Sequence, residues 1–218
     1  MTIVVRTLSE RIFEVIRERI VEGKLADREP VRQDALAAEL GVSKIPLREA
    51  LARLEHEGLL TSQANRGWFV RPMSADQAEE IYLLRLAIEP TAASFSCTRT
   101  TDADRQAARN AFDLLDAAAN DDLNAVAVRN REFHVSLVRP GGRLLTTQLV
   151  ERLEVLAERY VLAHLEPAGR DNRAHLEHEA LLDAWLSGQA DEVQALLTSH
   201  IASTLDDLRA QFAASHTQ

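Results

Sequence analysis

Residues 35–60, ALAAELGVSKIPLREALARLEHEGLL, constrain the fold of this chain more than any other stretch. Leu36, Ala37 and Leu40 precede Gly41, and Leu47, Leu51 and Leu54 follow it, which is helical spacing on both sides of a glycine turn. The pattern is that of a helix-turn-helix. Ser43 stands where the second helix begins, with a hydroxyl able to accept from an unpaired amide of the first turn. Pro46 falls within that turn, where a missing N–H costs little. The second helix is thus expected over 43–57, closed by Gly58. Its apolar side carries Leu47, Leu51 and Leu54, and Ser43, Lys44 and Arg48 fall on the outer side near its N-terminus, the end of a recognition helix that meets base edges and phosphates.

Residues 59–70 then read as a β-hairpin. Its tip, Asn65-Arg66-Gly67, combines two residues that tolerate positive φ with one cation. Upstream, Thr7-Leu-Ser-Glu10 is a capping-box pattern that opens a helix running through Leu8, Ile12, Val15, Ile16 and Ile20 to Gly23. Arg32 sits where the positioning helix (32–40) starts and can face a phosphate, or simply solvent.

The runs GVSKIPLREAL, LEHEGLL and NRGWFV resemble the winged helix-turn-helix of the GntR family of bacterial transcription regulators. Ser43, Pro46, Arg48, Glu49 and Ala50 match that family's usual Ser-Arg-Thr-Pro-Val-Arg-Glu-Ala run, whereas Lys44 replaces an arginine and Ile45 a threonine. Together the helix start, the positioning helix and the hairpin tip give an expected DNA-contact set of Arg32, Ser43, Lys44, Ile45, Pro46, Arg48, Arg66 and Gly67 acting on a double-stranded operator. Lys44 keeps the charge but lacks the planar fork that reads guanine bidentately. Ile45 loses a hydroxyl and gains an apolar surface suited to a thymine methyl, so the operator is expected to differ from the family's common one.

A formal charge of −9 looks unsuited to DNA until it is divided along the chain. Residues 1–72 hold 12 Lys/Arg against 11 Asp/Glu, and residues 73–218 hold 13 against 23, so the acid lies in the second part. That acid either lowers non-specific affinity for nucleic acid or only keeps helices soluble. One cysteine, Cys97, no charged-then-apolar leader and no bilayer-length apolar run point to a cytoplasmic protein with no internal disulfide and no membrane partner.

Two domains are expected, 1–72 and 73–218, and the fold class is mainly α. Ser74-Ala-Asp-Gln77 is a second capping box, and from there the chain reads as six amphipathic helices, about 75–98, 102–119, 122–138, 142–165, 170–187 and 190–213. The breaks fall at Thr100, Asn120-Asp121-Asp122, Pro140-Gly141-Gly142, Pro167-Ala168-Gly169 and Gly188. LRLAIEPTAA at 84–93, NREFH at 130–134, HEALLDAWLSGQADEV at 178–193 and SHI at 199–201 resemble the all-helical FCD effector-binding domain of one GntR subfamily, in its six-helix, VanR-like version.

Three of seven histidines lie on apolar helix faces. His134 shares a face with Val126, Asn130, Leu137 and Val138. His178 shares one with Leu181, Leu182 and Trp185, and His200 one with Val193, Leu196, Leu197 and Thr204. Each alone reads as a core histidine bonded to a backbone carbonyl. Three on inward faces, with Asn130 one turn before His134, can converge on a metal inside a bundle. The FCD resemblance implies the same grouping, through an Asp-x-x-x-His pair and two later histidines, with Asn130 at the Asp position. An amide is a weaker, neutral ligand, and imidazoles suit Zn²⁺, Ni²⁺ or a similar divalent transition metal. His175 either contacts a ligand or faces solvent, and His56, His164 and His216 carry no pattern.

Open coordination positions would admit a small carboxylate effector, with Arg85 as a second anchor beside the stripe Ile81, Leu84 and Ile88, unless Arg85 merely pairs with Glu89 at i+4. The leading function is therefore an effector-controlled, homodimeric operator-binding regulator, and the resemblance implies a repressor. A metal-dependent hydrolase is a second reading, weakened because no carboxylate stands beside the histidines in a metalloenzyme motif. A third keeps DNA binding and leaves the histidines structural, with no effector.

Overall fold

The computed structural model describes residues 7–121, 123–165 and 169–215. His216 and parts of the expected breaks at Asn120-Asp121-Asp122 and Pro167-Ala168-Gly169 lie outside the described residues. The chain divides into two compact units, Met1–Met73 and Ser74–Gln218.

In the first unit, α1 (Leu8–Val21) packs on α3 (Lys44–His56), α2 (Gln33–Leu40) precedes α3, and β1 (Leu60–Gln63) pairs antiparallel with β2 (Gly67–Val70) in the register Leu60 to Val70. Thr7 forms the reciprocal capping box with Glu10 at the start of α1. Ile12, Phe13, Ile16 and Ile20 of α1 close on Leu47, Leu51 and Leu54 of α3, all buried, so the apolar stripes make one small core. Gly41 takes the left-handed conformation (φ 66°) that ends α2 and lets α3 leave at an angle. Asn65 and Gly67 also have positive φ, as the hairpin tip requires.

Ser43 is the N-cap of α3 in extended backbone, but its hydroxyl makes no cap bond, contrary to expectation. An N-cap oxygen bonds the N2 or N3 amide, and N3 here is Pro46, which has none, so one of the two possible donors is missing.

The second unit is all helical: α4 (Ala75–Cys97), α5 (Asp102–Asp121), α6 (Leu123–Val138), a single 3₁₀ turn at Arg139–Gly141, α7 (Leu144–Leu165), α8 (Arg170–Leu186) and α9 (Ala190–Ser215). The helix α4 is the centre of the bundle, packing on α6, α7, α8 and α9. Trp185 of α8, fully buried, donates from Nε1 to the Leu137 carbonyl at 2.9 Å and so ties α8 to α6. The Ser74 box is half realised. Its hydroxyl accepts from Gln77 N, but the Ser74 amide donates to Tyr160 Oη, and Tyr160 Oη in turn donates to Gln77 Oε1.

The stripe expected beside Arg85 is displaced. Ile81 and Tyr82 are buried, yet Leu84 is 44% exposed, because Tyr82, Arg85 and Glu89 together turn inward.

Candidate functional site

Within the first unit, Arg32, Ser43, Lys44, Ile45, Arg48 and Arg66 are all exposed, with Pro46 and Gly67 half-buried between them. Ile45 is 72% exposed, an apolar surface with no reason to face water in the isolated unit. Lys44 pairs with Asp34 at 2.5 Å across the turn, but both side chains are largely exposed, and such pairs give way readily to a stronger anion. Arg48 has no hydrogen bond or ion pair among the described residues. Arg66 at the hairpin tip donates to Gln63 Oε1 at 2.9 Å and lies over the Phe69 ring, which holds its guanidinium at the tip. A helix N-terminus with two cations, an exposed isoleucine and a cationic hairpin tip form a surface suited to a phosphate backbone and a groove.

Within the second unit, α6, α8 and α9 bring His134, His178 and His200 together in the bundle interior, 1%, 4% and 8% exposed. Their Nε2 atoms face one another: His134 to His178 at 3.4 Å and His178 to His200 at 3.1 Å. A single N–H can bridge one such pair and leaves the third nitrogen's lone pair pointing inward. Tetrahedral coordination with bonds of about 2.0–2.1 Å has donor-to-donor edges of about 3.3 Å, so the trio fits a divalent transition ion. Burial pushes His134 down to about 4 and His178 well below its usual range, which keeps both imidazoles neutral, the form that ligates.

Behind His134 lies a buried charge cluster. Arg85 of α4 donates from Nε to Glu89 at 2.7 Å and from its terminal nitrogen to Glu154 of α7 at 2.5 Å, and His134 Nδ1 lies 3.5 Å from both carboxylates. Burial alone would raise Glu89, but Arg85 and His134 bring it down to about 2. Glu154 goes the other way, raised by burial and by the Glu89 charge. One buried cation is therefore balanced by one buried anion. The i,i+4 pairing of Arg85 with Glu89 is formed, and Glu154 is an addition that helical spacing did not suggest.

A cavity of about 60 Å³ opens beside the histidines, against about 10–15 Å³ for one water, which is room for a small molecule only. Asn130, Arg85, His178 and His200 line it, and Asn130 is buried one turn before His134. Phe112, Leu115, Val126 and Val161 supply an apolar wall. His175, half-buried, pairs with Asp116 at 2.9 Å at the wall. His164, unremarkable in the sequence, is buried in the same wall, and burial pushes it down to about 4. The hydroxyl of Tyr82, another wall residue, is buried and makes no hydrogen bond among the described residues. Nothing in the sequence points to Tyr82, to Glu154 or to Glu177, whose carboxylate lies 2.7 Å from His200 Nδ1. The signal that could have flagged the acids is their place on helix faces shared with apolar residues, but a glutamate at helical spacing from arginines reads first as a solvated pair.

Residues 8–70 match the family described as bacterial regulatory proteins, gntR family, and residues 80–203 match the FCD domain, which alone spans more than half of the chain. The chain belongs to the GntR family. The Nta operon transcriptional regulator of Aminobacter aminovorans is 30% identical over 83% of this chain and 84% of its own length. An uncharacterized HTH-type transcriptional regulator, BphR, of Paraburkholderia xenovorans (strain LB400) is 32% identical over 94% and 86%. The solved structure of E. coli McbR/YncC, 19% identical, superposes with a TM-score of 0.82 over 95% of this chain and all of that one, which shows the shared fold. This GntR-family protein is a DNA-binding transcription regulator with a winged helix-turn-helix and an FCD domain, and not an enzyme. Among the described residues no helix is long and apolar enough to cross a membrane.

Proposed function

We propose that this GntR-family regulator is a cytoplasmic repressor that binds a pseudo-palindromic operator as a homodimer and is released by a small carboxylate held at a metal-containing pocket. Residues 1–72 form the DNA-binding domain and residues 73–218 the effector-binding and dimerisation domain. Lys44, Ile45 and Arg48, with Ser43 and Pro46 at the helix start, meet the major groove. Arg32, Arg66 and Gly67 meet the backbone or minor groove. Exposed Leu83, Leu84, Leu144, Leu145 and Leu149 on α4 and α7 support a second copy covering the helical unit.

His134, His178 and His200, with Asn130, would hold a divalent transition metal such as Zn²⁺ or Ni²⁺, which supplies a positive centre for an anionic group when bound. Arg85 in the same cavity wall is the second anchor, a guanidinium already paired with Glu89 and Glu154 that would draw a carboxylate toward it. The observation that carries this reading is the convergence of three histidine Nε2 atoms, 3.1 and 3.4 Å apart, beside a cavity sized for a small molecule.

The test is fluorescence anisotropy on DNA from upstream of the protein's own gene, with Zn²⁺ or Ni²⁺ and a panel of short carboxylic acids. Saturable, salt-dependent, sequence-specific binding that at least one acid reverses is expected. Binding indifferent to sequence would remove the repressor role, and specific binding indifferent to every acid would remove the carboxylate pocket.

A further inference from the structure

We infer that Glu177 is a positioning residue that fixes the ring of His200 with Nε2 turned toward His178 and the cavity. The inference rests on the metal-site reading above and assigns a role to a residue outside the four proposed ligands.

Glu177 immediately precedes His178 on α8, so one short stretch of backbone presents a histidine inward and a carboxylate sideways to α9. The carboxylate Oε2 lies 2.7 Å from His200 Nδ1. A carboxylate accepts, so Nδ1 donates, and the proton on Nδ1 leaves the Nε2 lone pair facing His178 Nε2 at 3.1 Å. The tautomer and the ring rotation required of a ligand are thereby set before any ion arrives.

Glu177 is itself held from outside. Arg173, one turn earlier on α8, lies 3.5 Å from its Oε1 and bonds Asp207 of α9, so the carboxylate is braced between the two helices that carry His178 and His200. His134 has a looser counterpart, with Glu89 and Glu154 at 3.5 Å from Nδ1, but those two carboxylates are already engaged by Arg85. The contact from Glu177 is the shorter one and belongs to the ring nearest to His178. Its side chain is 29% exposed, so substitution there leaves no buried charge stranded and the fold is expected to survive.

The test uses the full-length protein and two readouts. Affinities for Zn²⁺ and Ni²⁺, measured by competition with a chromophoric chelator, should fall about 10–100-fold in Glu177→Ala. Glu177→Gln, whose amide oxygen can still accept, should recover part of that loss. In the metal-free protein, ¹⁵N imidazole shifts should place the His200 proton on Nδ1 in the wild type and lose that preference in Glu177→Ala. Far-UV circular dichroism of both variants should match the wild type. If wild type binds neither metal but shows the Nδ1–H tautomer, the metal reading fails while the positioning role stands. If Glu177→Ala binds metal as tightly as wild type, or His200 keeps its tautomer without Glu177, the inference is overturned.

Discussion

Arg85 of α4 and Glu154 of α7 meet at 2.5 Å in the interior of the bundle, 3% and 1% exposed, with Glu89 accepting from the Arg85 Nε at 2.7 Å. The contact lies directly behind His134, so the same cluster that neutralises a buried arginine also forms the back wall of the histidine site. Arg85→Met should therefore be costly even though the replacement is apolar and similar in length. It leaves Glu89 buried with no cation, and breaking one side of a buried pair costs about 3–5 kcal/mol. Urea unfolding of the metal-free protein measures the loss, and a change below about 1 kcal/mol would show that Arg85 is not the counter-charge.

The histidines make stability depend on pH in a definite direction. His134 and His164 are held down to about 4 by burial, whereas in the unfolded chain a histidine titrates near 6.5. Between those values the unfolded state binds more protons, so stability should fall as pH drops from about 6.5 toward 4, with a slope approaching about 1.4 kcal/mol per pH unit for His134. Above pH 7 the dependence from these groups should vanish. Denaturation of the chelator-treated protein across pH 4.5–8 checks the sign, and His134→Gln should flatten the acid limb.

Most of the fold was legible because its punctuation is chemical. Gly41, Gly58, Gly142 and Gly188 each adopt the positive φ that stops a helix or turn, and Thr7 and Ser74 cap the helices they precede. The histidine trio was legible because all three stand on apolar faces, and helical periodicity reports faces well. It does not report which distant helix a side chain meets. Glu154 sits in ERLEVLAERY among Glu151, Arg152, Glu158 and Arg159, where local spacing suggests a solvated, self-paired face. Its actual partner, Arg85, lies on α4. His164 shows no signal in the sequence for the same reason: its neighbours along the chain are ordinary, and its burial comes from packing of α7 against α9. The missing cap bond at Ser43 is different, since Pro46 was visible and its lack of an N–H at N3 was the clue.

Arg48→Ala should abolish specific operator binding and leave the helical unit untouched. Arg48 is exposed one turn beyond Lys44 and has no partner within the described protein to lose. A base contact is worth about 1–3 kcal/mol, a loss visible in a gel shift against the operator, while analytical ultracentrifugation should show an unchanged assembly. An unchanged affinity would remove α3 from the reading role.

Arg66→Ala at the hairpin tip should act differently. A phosphate or minor-groove contact carries little base information, so binding should weaken on many sequences alike, and the slope of log K against log salt should shrink by about 1. A switch in preferred sequence would instead make the hairpin a direct reader of bases.

The central claim, that three histidines and Asn130 hold an ion through which an effector acts, is tested most directly by metal content. Inductively coupled plasma mass spectrometry on protein purified without chelator should find about one transition ion per chain in the wild type. It should find far less in His134→Ala and at least as much in Asn130→Asp, where a carboxylate replaces a neutral ligand. Metal absent from wild type even after incubation with Zn²⁺ or Ni²⁺, or undiminished in His134→Ala, would contradict the claim and return the histidines to the core.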